Sequence, residues 1–222
     1  MEPKTQHRMV LILYSRLEQK LEEHRFDTLL QPLPSDIQQK IRRYRRWQDA
    51  HACLFGKLLL IEGLRRLGLG GAALLHQLQY TSYGRPFLAG VADFNISHSG
   101  EYVVCALSIH YRLGIDIEKI QPIHLPDFRG QMTDMEWDTV SKADDPLQAF
   151  YYYWTRKEAA IKAHGHGLSL PLKEVVIGEG QVVMEGKGWP LYEVELAGGY
   201  VCHLVADGRV EEEEIRVEEV NL

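Results

Sequence analysis

The alternation of apolar and polar residues along the chain predicts a strand followed by helices. Val10 to Tyr14 is rich in aliphatic and β-branched residues, which is typical of a buried strand. Helical spacing begins at Ser35 and runs to Tyr44, with Gln38 completing a predicted capping box. Asp49 to Leu67 continues as a second and more apolar helix. The first third of the chain is therefore expected to place helices against one strand.

The remainder alternates between strand-like and helical segments. After a turn at Tyr83 to Pro86, three strands are predicted: Asp93–Ser97, Tyr102–Ser108 and Leu113–Glu118. Two helices follow, Thr133–Ser141 and Leu147–Ala163. Beyond Glu174 the pattern contains strands and turns only, with hairpins around Glu179-Gly180 and Gly198-Gly199. Helices and antiparallel strands in separate blocks indicate an α+β fold.

Charge and cysteine content narrow the range of functions. The formal net charge of −6 over 222 residues argues against a general nucleic-acid binder, although Lys40 to Arg46 is locally basic. Three isolated cysteines without a CxxC pair indicate reduced thiols. No apolar stretch is long enough to cross a bilayer, and no secretory leader precedes Val10. We therefore expect a cytoplasmic protein that binds neither nucleic acid nor membrane.

The segment Gly114 to Glu118 contains a first candidate site. Residues two apart on a strand face the same side, so Asp116 and Glu118 converge while the intervening isoleucines face the core. Two close carboxylates repel unless a cation neutralises them. Oxygen ligands in a small cluster suit Mg²⁺. The alternative is a half-buried strand with an acidic, solvated face.

Two further segments also allow a functional and a structural interpretation. In Trp154 to Lys162, Glu158 and Lys162 lie one helical turn apart, so they form either an exposed ion pair or part of a metal and pyrophosphate site. In Phe94 to Gly100, a hydroxyl, an imidazole and a glycine turn could bind phosphate, or form a simple polar turn. Neither serine lies in a GxSxG motif, so a serine hydrolase is poorly supported.

Taken together and in order, these segments resemble the phosphopantetheinyl transferase superfamily, in its larger type that activates surfactin-like peptide synthetases (the Sfp type). The matching stretches are YGRPFL, FNISHSG, GIDIEKI and FYYYWTRKEAAIKAHGHGLSLPL. The helical stretch IRRYRRWQDAHACLFGKLLL is similar to the N-terminal region of that family. The resemblance covers about Ser35 to Leu172 and favours the functional interpretation of all three candidate segments.

The resemblance implies two similar α+β halves in one chain, a pseudo-dimer with the active site in the cleft between them. The expected halves are residues 1–109 and 110–222. It also implies coenzyme A as the donor, a serine of an apo acyl or peptidyl carrier protein as the acceptor, and Mg²⁺ as the metal, with Mn²⁺ as an alternative. With both halves in one chain, a monomer is expected. Residues Ile123 to Pro146 are expected to contribute to carrier docking.

The resemblance also implies roles for individual residues. Asp116, Glu118 and Glu158 correspond to the metal carboxylates of the family. The expected contacts to coenzyme A, beyond the metal ligand Asp116, are Lys40, Arg85, Pro86, Ser97, His98, Lys157 and Lys162. Arg85 stands where the family usually has a lysine, and Ile37 and Cys53 depart from the pattern around the 3′-phosphate. Arg42, Arg45 or Arg46 could compensate for those departures.

The implied reaction is a displacement at the β-phosphorus of coenzyme A that releases 3′,5′-ADP. Lys157 and Lys162 would stabilise the charge on the phosphates, and Glu158 would accept the proton of the serine, directly or through a metal-bound water. Two rivals remain at this point. A metal-dependent phosphohydrolase could use the same carboxylates, and a catalytically inactive module could bind carrier proteins or coenzyme A.

Overall fold

The first half of the chain builds three helices and five strands. The computed structural model describes residues 8 to 222. The helices are α1 (Glu23–Leu30), α2 (Ser35–Arg42) and α3 (Trp47–Arg66). The strands are β1 (Val10–Arg16), β2 (Gln79–Tyr80), β3 (Pro86–Phe87), β4 (Asp93–Ser99) and β5 (Tyr102–Ser108). The predicted strands in this region and the predicted long apolar helix are confirmed to within a few residues.

The second half contains two helices and six strands. The helices are α4 (Asp134–Lys142) and α5 (Pro146–His164). The strands are β6 (Leu113–Lys119), β7 (Val176–Ile177), β8 (Gln181–Met184), β9 (Lys187–Glu193), β10 (Tyr200–Ala206) and β11 (Ile215–Glu219). Both predicted hairpins are confirmed, since β7 pairs antiparallel with β8 and β9 with β10.

Two sheets organise the molecule and confirm the α+β class. One has the strand order β11-β1-β5-β4 and the other has the order β6-β10-β9-β8-β7, while β2 and β3 form a separate pair. Helix α3 packs on the first sheet through buried leucines, and α5 packs on the second. The strand β11 runs parallel to β1 and so joins the first sheet, although it lies at the end of the chain. The boundary near residue 109 stays a prediction.

The beginning of α2 differs from the prediction. Pro34 occupies the N-cap position, and no side chain caps the helix. The Gln38 amide instead donates to the Leu33 carbonyl oxygen at 2.7 Å. The predicted capping box is therefore wrong, and the helix ends at Arg42 rather than Tyr44.

The two sheets meet along β4 and β6, where side chains replace the backbone pairing of a continuous sheet. Alternate β4 residues accept hydrogen bonds from alternate backbone N–H groups of β6. The pairs are Asp93 with Leu113, Asn95 with Ile115, Ser97 with Ile117 and Ser99 with Lys119. This ladder fixes the register of β6 against β4, because each accepting side chain fits one N–H.

The three cysteines and the hydropathy of the helices can be compared with the sequence analysis. Cys105 and Cys202 are buried, Cys53 is half-buried, and all three are free thiols. Within the part of the chain that is described, no helix combines the length and apolar character that crossing a bilayer requires.

Candidate active site

Strand β6 carries two acidic side chains on one side, as its alternation predicts. Ile115 and Ile117 on the opposite side are fully buried, while Asp116 is 3% exposed. Glu118, nearer the end of the strand, is half-buried. The Ser99 hydroxyl donates to Glu118 Oε2 at 2.6 Å. The two carboxylates therefore lie between the sheets and not on an outer, solvated face.

Helix α5 brings Glu158 and Lys162 to the same place because it lies very close to β6. A Cβ atom on Gly114 would come within 2.0 Å of the Ala159 carbonyl oxygen and 2.3 Å of the Ala163 nitrogen. A backbone contact of this kind cannot be relieved by a side-chain rotation, so the approach requires glycine at position 114. Gly114 thus positions the helix that carries the third carboxylate.

Lys162 is bound to Asp116 and not to Glu158. Its Nζ lies 2.6 Å from Asp116 Oδ1, 2.9 Å from Ser97 Oγ and 3.3 Å from the Ile115 carbonyl oxygen. The Ser97 hydroxyl in turn donates to Asp116 Oδ1 at 2.9 Å. The simple helical ion pair between positions 158 and 162 does not form, and the lysine instead joins α5 to β6.

The other oxygen of Asp116 has no partner. Oδ2 is buried and accepts no hydrogen bond. A buried carboxylate oxygen without a partner is costly and indicates an unseen ion or water. Since the Asp116 Oδ1 is held by Ser97 and Lys162, the carboxylate is oriented so that only Oδ2 is free for a ligand.

The pKa values of all three acidic side chains are raised above their usual range. Burial is the largest cause for each of Asp116, Glu118 and Glu158. The charge of Asp116 raises the pKa of both glutamates further, and Lys162 lowers it only in part. Three carboxylates therefore share one ammonium group, which leaves an excess of negative charge that a divalent cation would neutralise.

The donor set fits Mg²⁺ in an open arrangement. All three candidate ligands offer oxygen, which Mg²⁺ prefers, and Asp116 Oδ2 is free. The three carboxylates do not form a tight cluster, because their oxygens do not all lie within 4.8 Å of one another. Mg²⁺ usually retains several waters and substrate oxygens, so it does not need a closed protein cage.

A cavity of about 230 Å³ adjoins the carboxylates. Its walls include Glu158, Lys162, Asn95 and the Tyr83 to Pro86 turn. Pro86 thus lies where the sequence predicts a ligand contact.

The Arg85 guanidinium is engaged inside the protein although Arg85 also lines the cavity, so its contact with coenzyme A stays a prediction. Its guanidinium forms a two-point ion pair with Asp93 at 2.9 and 2.7 Å. It also donates to the Leu113 carbonyl oxygen at 2.9 Å and the Lys162 carbonyl oxygen at 3.1 Å. These bonds join β3, β4, β6 and α5 beneath the cavity, and they use the donors that a phosphate would need.

The Lys157 side chain is also bound inside the protein, away from the three carboxylates. The side chain is 1% exposed, and its Nζ lies 2.8 Å from Glu136 of α4. It also donates to the carbonyl oxygens of Leu172 at 2.8 Å and Val175 at 3.0 Å. The ammonium group therefore has three partners within the second half and does not reach the carboxylates. Adjacent residues on a helix point about 100° apart, so Lys157 and Glu158 cannot both face the cavity.

The predicted nucleotide contacts His98 and Lys40 lie on the other side of β4. The His98 side chain is exposed, and its pKa is lowered by partial burial and by the charge of Lys162. The Lys40 ammonium lies 5.6 Å from the centre of the Tyr80 ring. Both side chains are accessible to a ligand. Ser97, by contrast, is buried and is bound to Asp116 and Lys162.

Lys57 is a cation that the sequence analysis missed. It lies one helical turn after Cys53 on α3, and burial lowers its pKa, with Lys40 nearby as a further lowering charge. Among residues 8 to 222, no carboxylate forms an ion pair with it. A half-buried lysine without an acid partner is unusual, because burial of a charge is costly unless it is paired. The apolar sequence of α3 gave no reason to select this lysine. Its spacing of one helical turn from Cys53 was the signal that could have identified it.

Comparisons with known proteins identify the family. Residues 20–110 match a model described as 4'-phosphopantetheinyl transferase, N-terminal, and residues 112–191 match the 4'-phosphopantetheinyl transferase superfamily. The chain is 32% identical over 203 residues to 4'-phosphopantetheinyl transferase gsp of Aneurinibacillus migulanus, covering 87% of this chain and 84% of the relative. It is 36% identical over 172 residues to 4'-phosphopantetheinyl transferase Sfp of Bacillus subtilis, covering 74% of each.

The chain belongs to the 4'-phosphopantetheinyl transferase superfamily. It is an Sfp-type transferase, and the two matched regions correspond to the two half-domains. A more distant relative is L-aminoadipate-semialdehyde dehydrogenase-phosphopantetheinyl transferase of Xenopus laevis, 30% identical over 165 residues, covering 66% of this chain and 54% of the relative. As a phosphopantetheinyl transferase, the chain uses coenzyme A and acts on carrier proteins.

Proposed function

We propose that this phosphopantetheinyl transferase moves 4′-phosphopantetheine from coenzyme A to a serine of an apo acyl or peptidyl carrier protein in a Mg²⁺-dependent reaction that releases 3′,5′-ADP. The observation that carries the proposal is the buried, unpartnered Asp116 Oδ2, in a group of three carboxylates of which Glu158 lines a cavity. Mn²⁺ has similar oxygen preferences and is proposed as a substitute. The chain is proposed to act as a monomer, because both halves lie in one polypeptide.

Asp116, Glu118 and Glu158 would hold the metal. When bound, Mg²⁺ supplies positive charge to the pyrophosphate oxygens and to the leaving group. Ser97 and Lys162 favour the ionised form of Asp116 against the effect of burial and fix its orientation, since both donate to Oδ1. Lys162 also lines the cavity, so its charge favours a phosphate there.

Glu158 is the proposed base for the serine proton. Its carboxylate lines the cavity, and burial together with the charge of Asp116 raises its pKa. A raised pKa makes a carboxylate a stronger base near neutral pH. The proton moves from the serine oxygen to Glu158, the serine oxygen bonds to the β-phosphorus, and the pyrophosphate oxygen that leaves stays with 3′,5′-ADP.

One incubation tests the proposed function against its rivals. The protein is mixed with coenzyme A, Mg²⁺ and an apo carrier protein, and the products are read by mass spectrometry. We expect the carrier to gain one phosphopantetheine at its serine, in a reaction that EDTA stops and Mg²⁺ restores. Hydrolysis of coenzyme A without carrier modification would indicate a phosphohydrolase, and no change in either would indicate a binding module.

Lys57 and Lys40 are proposed to hold the 3′-phosphate of coenzyme A, with Lys57 taking the place of a cation that Ile37 cannot supply. We expect Lys57→Met to raise KM for coenzyme A roughly tenfold to a hundredfold with little change in kcat, because a charge-assisted hydrogen bond contributes about 1.5–3 kcal/mol. His98→Ala is expected to have a similar effect. The measurement is kcat and KM with coenzyme A and with dephospho-coenzyme A, which lacks the 3′-phosphate.

The decisive quantity is the ratio of kcat/KM with coenzyme A to kcat/KM with dephospho-coenzyme A. The kcat/KM of Lys57→Met and of Lys40→Met with dephospho-coenzyme A should be close to that of the wild type. Lys187→Met is the matched control, since Lys187 is an exposed lysine on β9 in the other half. Equal losses on both donors would remove Lys57 and Lys40 from the 3′-phosphate site.

A further inference from the structure

A second cluster of potential metal ligands lies at the end of α5. It contains His164, His166 and Glu185, whose ligand atoms all lie within 4.8 Å of one another. His164 Nε2 is 3.3 Å from Glu185 Oε2. The two imidazole rings have centroids 4.3 Å apart and an angle of 82° between their planes, so one ring meets the other edge-on.

Two turns with positive φ bring the three side chains of this cluster together. Gly165 ends α5 in the left-handed conformation with φ of 83°, which turns the chain back and brings His166 beside His164. Glu185 has φ of 48° and is the one residue other than glycine with a positive φ among residues 8 to 222. It forms a two-residue turn with Gly186, between the paired residues Met184 and Lys187. Positive φ values are the favoured geometry of a two-residue hairpin turn, and here the turn brings Glu185 to the end of α5.

An ordinary histidine–carboxylate pair does not account for the arrangement. Such a pair occurs elsewhere in the chain, where His124 Nδ1 lies 3.0 Å from Asp127 Oδ1 in full exposure. At the end of α5 a second imidazole is added, and His164 Nδ1 is buried without a hydrogen-bond partner. A buried polar atom without a partner calls for an unseen ion or water.

We propose that His164, His166 and Glu185 form a binding site for a transition-metal ion of the Zn²⁺ class, separate from the oxygen-only site at Asp116. Two imidazoles and one carboxylate are a known Zn²⁺ ligand set that leaves a fourth position for water. The same set favours Ni²⁺ and Cu²⁺ and disfavours Mg²⁺, which prefers oxygen. The chemistry of the two sites therefore selects different metals.

The site lies next to the cavity without sharing its ligands. Gly165 and Gly167, on either side of His166, line the cavity beside Glu158 and Lys162. The centre of the His166 ring also lies 4.6 Å from that of the Tyr83 ring, and Tyr83 lines the same cavity. A metal bound to His166 would restrain this part of the cavity lining. The proposal depends only on the cluster and does not require the proposed transfer reaction.

Metal-free protein titrated with Zn²⁺ by calorimetry, with Mg²⁺ in excess to occupy oxygen-rich sites, tests the proposal. We expect one saturable Zn²⁺ site, weakened at least tenfold in His166→Ala and in Glu185→Gln, since even the partners of metal ligands commonly contribute ten- to a hundredfold. Both side chains are exposed, so these variants should fold normally. His124→Ala is the matched control and should bind as the wild type does.

A spectroscopic measurement locates the ion. The Trp189 ring lies 6.2 Å from the His164 ring, so Cu²⁺ at the site should quench its fluorescence. The quenching should disappear in Trp189→Phe, while the Zn²⁺ stoichiometry of that variant stays at one. Unsaturable Zn²⁺ binding in the wild type, or equal affinity in all variants, would overturn the proposal. Loss of carrier modification alone would concern the Asp116 site and not this one.

Discussion

Asp116→Asn is expected to slow transfer to the carrier protein by about 10²–10³-fold, the usual loss for a preorganised electrostatic group. The substitution keeps the shape of the side chain and an oxygen for Ser97 and Lys162, but it removes the negative charge and replaces the unpartnered Oδ2 with an amide NH₂ group that cannot bind a metal ion. Glu158→Gln should have an effect of similar size, because Glu158 is both a proposed metal ligand and the proposed base. The measurement is the initial rate of carrier modification at saturating coenzyme A.

The exposed carboxylate Glu179 provides the control for these two variants. Glu179 lies in the turn between β7 and β8, away from the carboxylate cluster, and Glu179→Gln should retain the wild-type rate. Raising Mg²⁺ should recover part of the activity of Asp116→Asn if the defect is weaker metal binding. Turnover near that of the wild type in either active-site variant, at ordinary Mg²⁺ concentration, would remove the residue from the site.

The acidic strand was predictable because a period of two is enough to describe it. Alternation alone places Asp116 and Glu118 on one side and their isoleucine neighbours in the core. The same reasoning applied to β4 would have placed four polar side chains on one side of the strand, since Asp93, Asn95, Ser97 and Ser99 alternate with other residues in DFNISHS. Each of these four accepts a backbone N–H of β6, which no local pattern in β6 reveals.

The cations were harder to predict because charge does not reveal a partner. Arg85 and Lys157 are both positively charged in segments that resemble phosphate-binding motifs, but Asp93 and Glu136 bind them inside the protein. Those partners come from separate elements, so only the tertiary structure identifies them. Lys57 is the opposite case, a lysine within an apolar helix that has no acid partner among the described residues.

The ion pair of Lys157 and Glu136 is expected to contribute to stability and not to catalysis. The two side chains are 1% and 6% exposed, and Glu136 Oε2 also accepts the backbone N–H of Thr133 at the start of α4. Removal of one charge of a buried pair leaves the other without compensation, which typically costs about 3–5 kcal/mol. We therefore expect Glu136→Gln to lower the free energy of unfolding by an amount in this range, measured by urea denaturation.

Three comparison variants separate the buried charge from other effects of the substitution. Thr133→Ala removes the N-cap side chain of α4 and should cost only about 1 kcal/mol. The double variant Glu136→Leu with Lys157→Met should recover much of the stability, because an apolar pair of similar volume needs no compensating charge. Lys157→Met should keep the KM for coenzyme A, at a temperature where it remains folded, because its ammonium faces Glu136 and two carbonyl groups. A large rise in KM without loss of stability would instead return Lys157 to the phosphate site, where its similarity to the family first placed it.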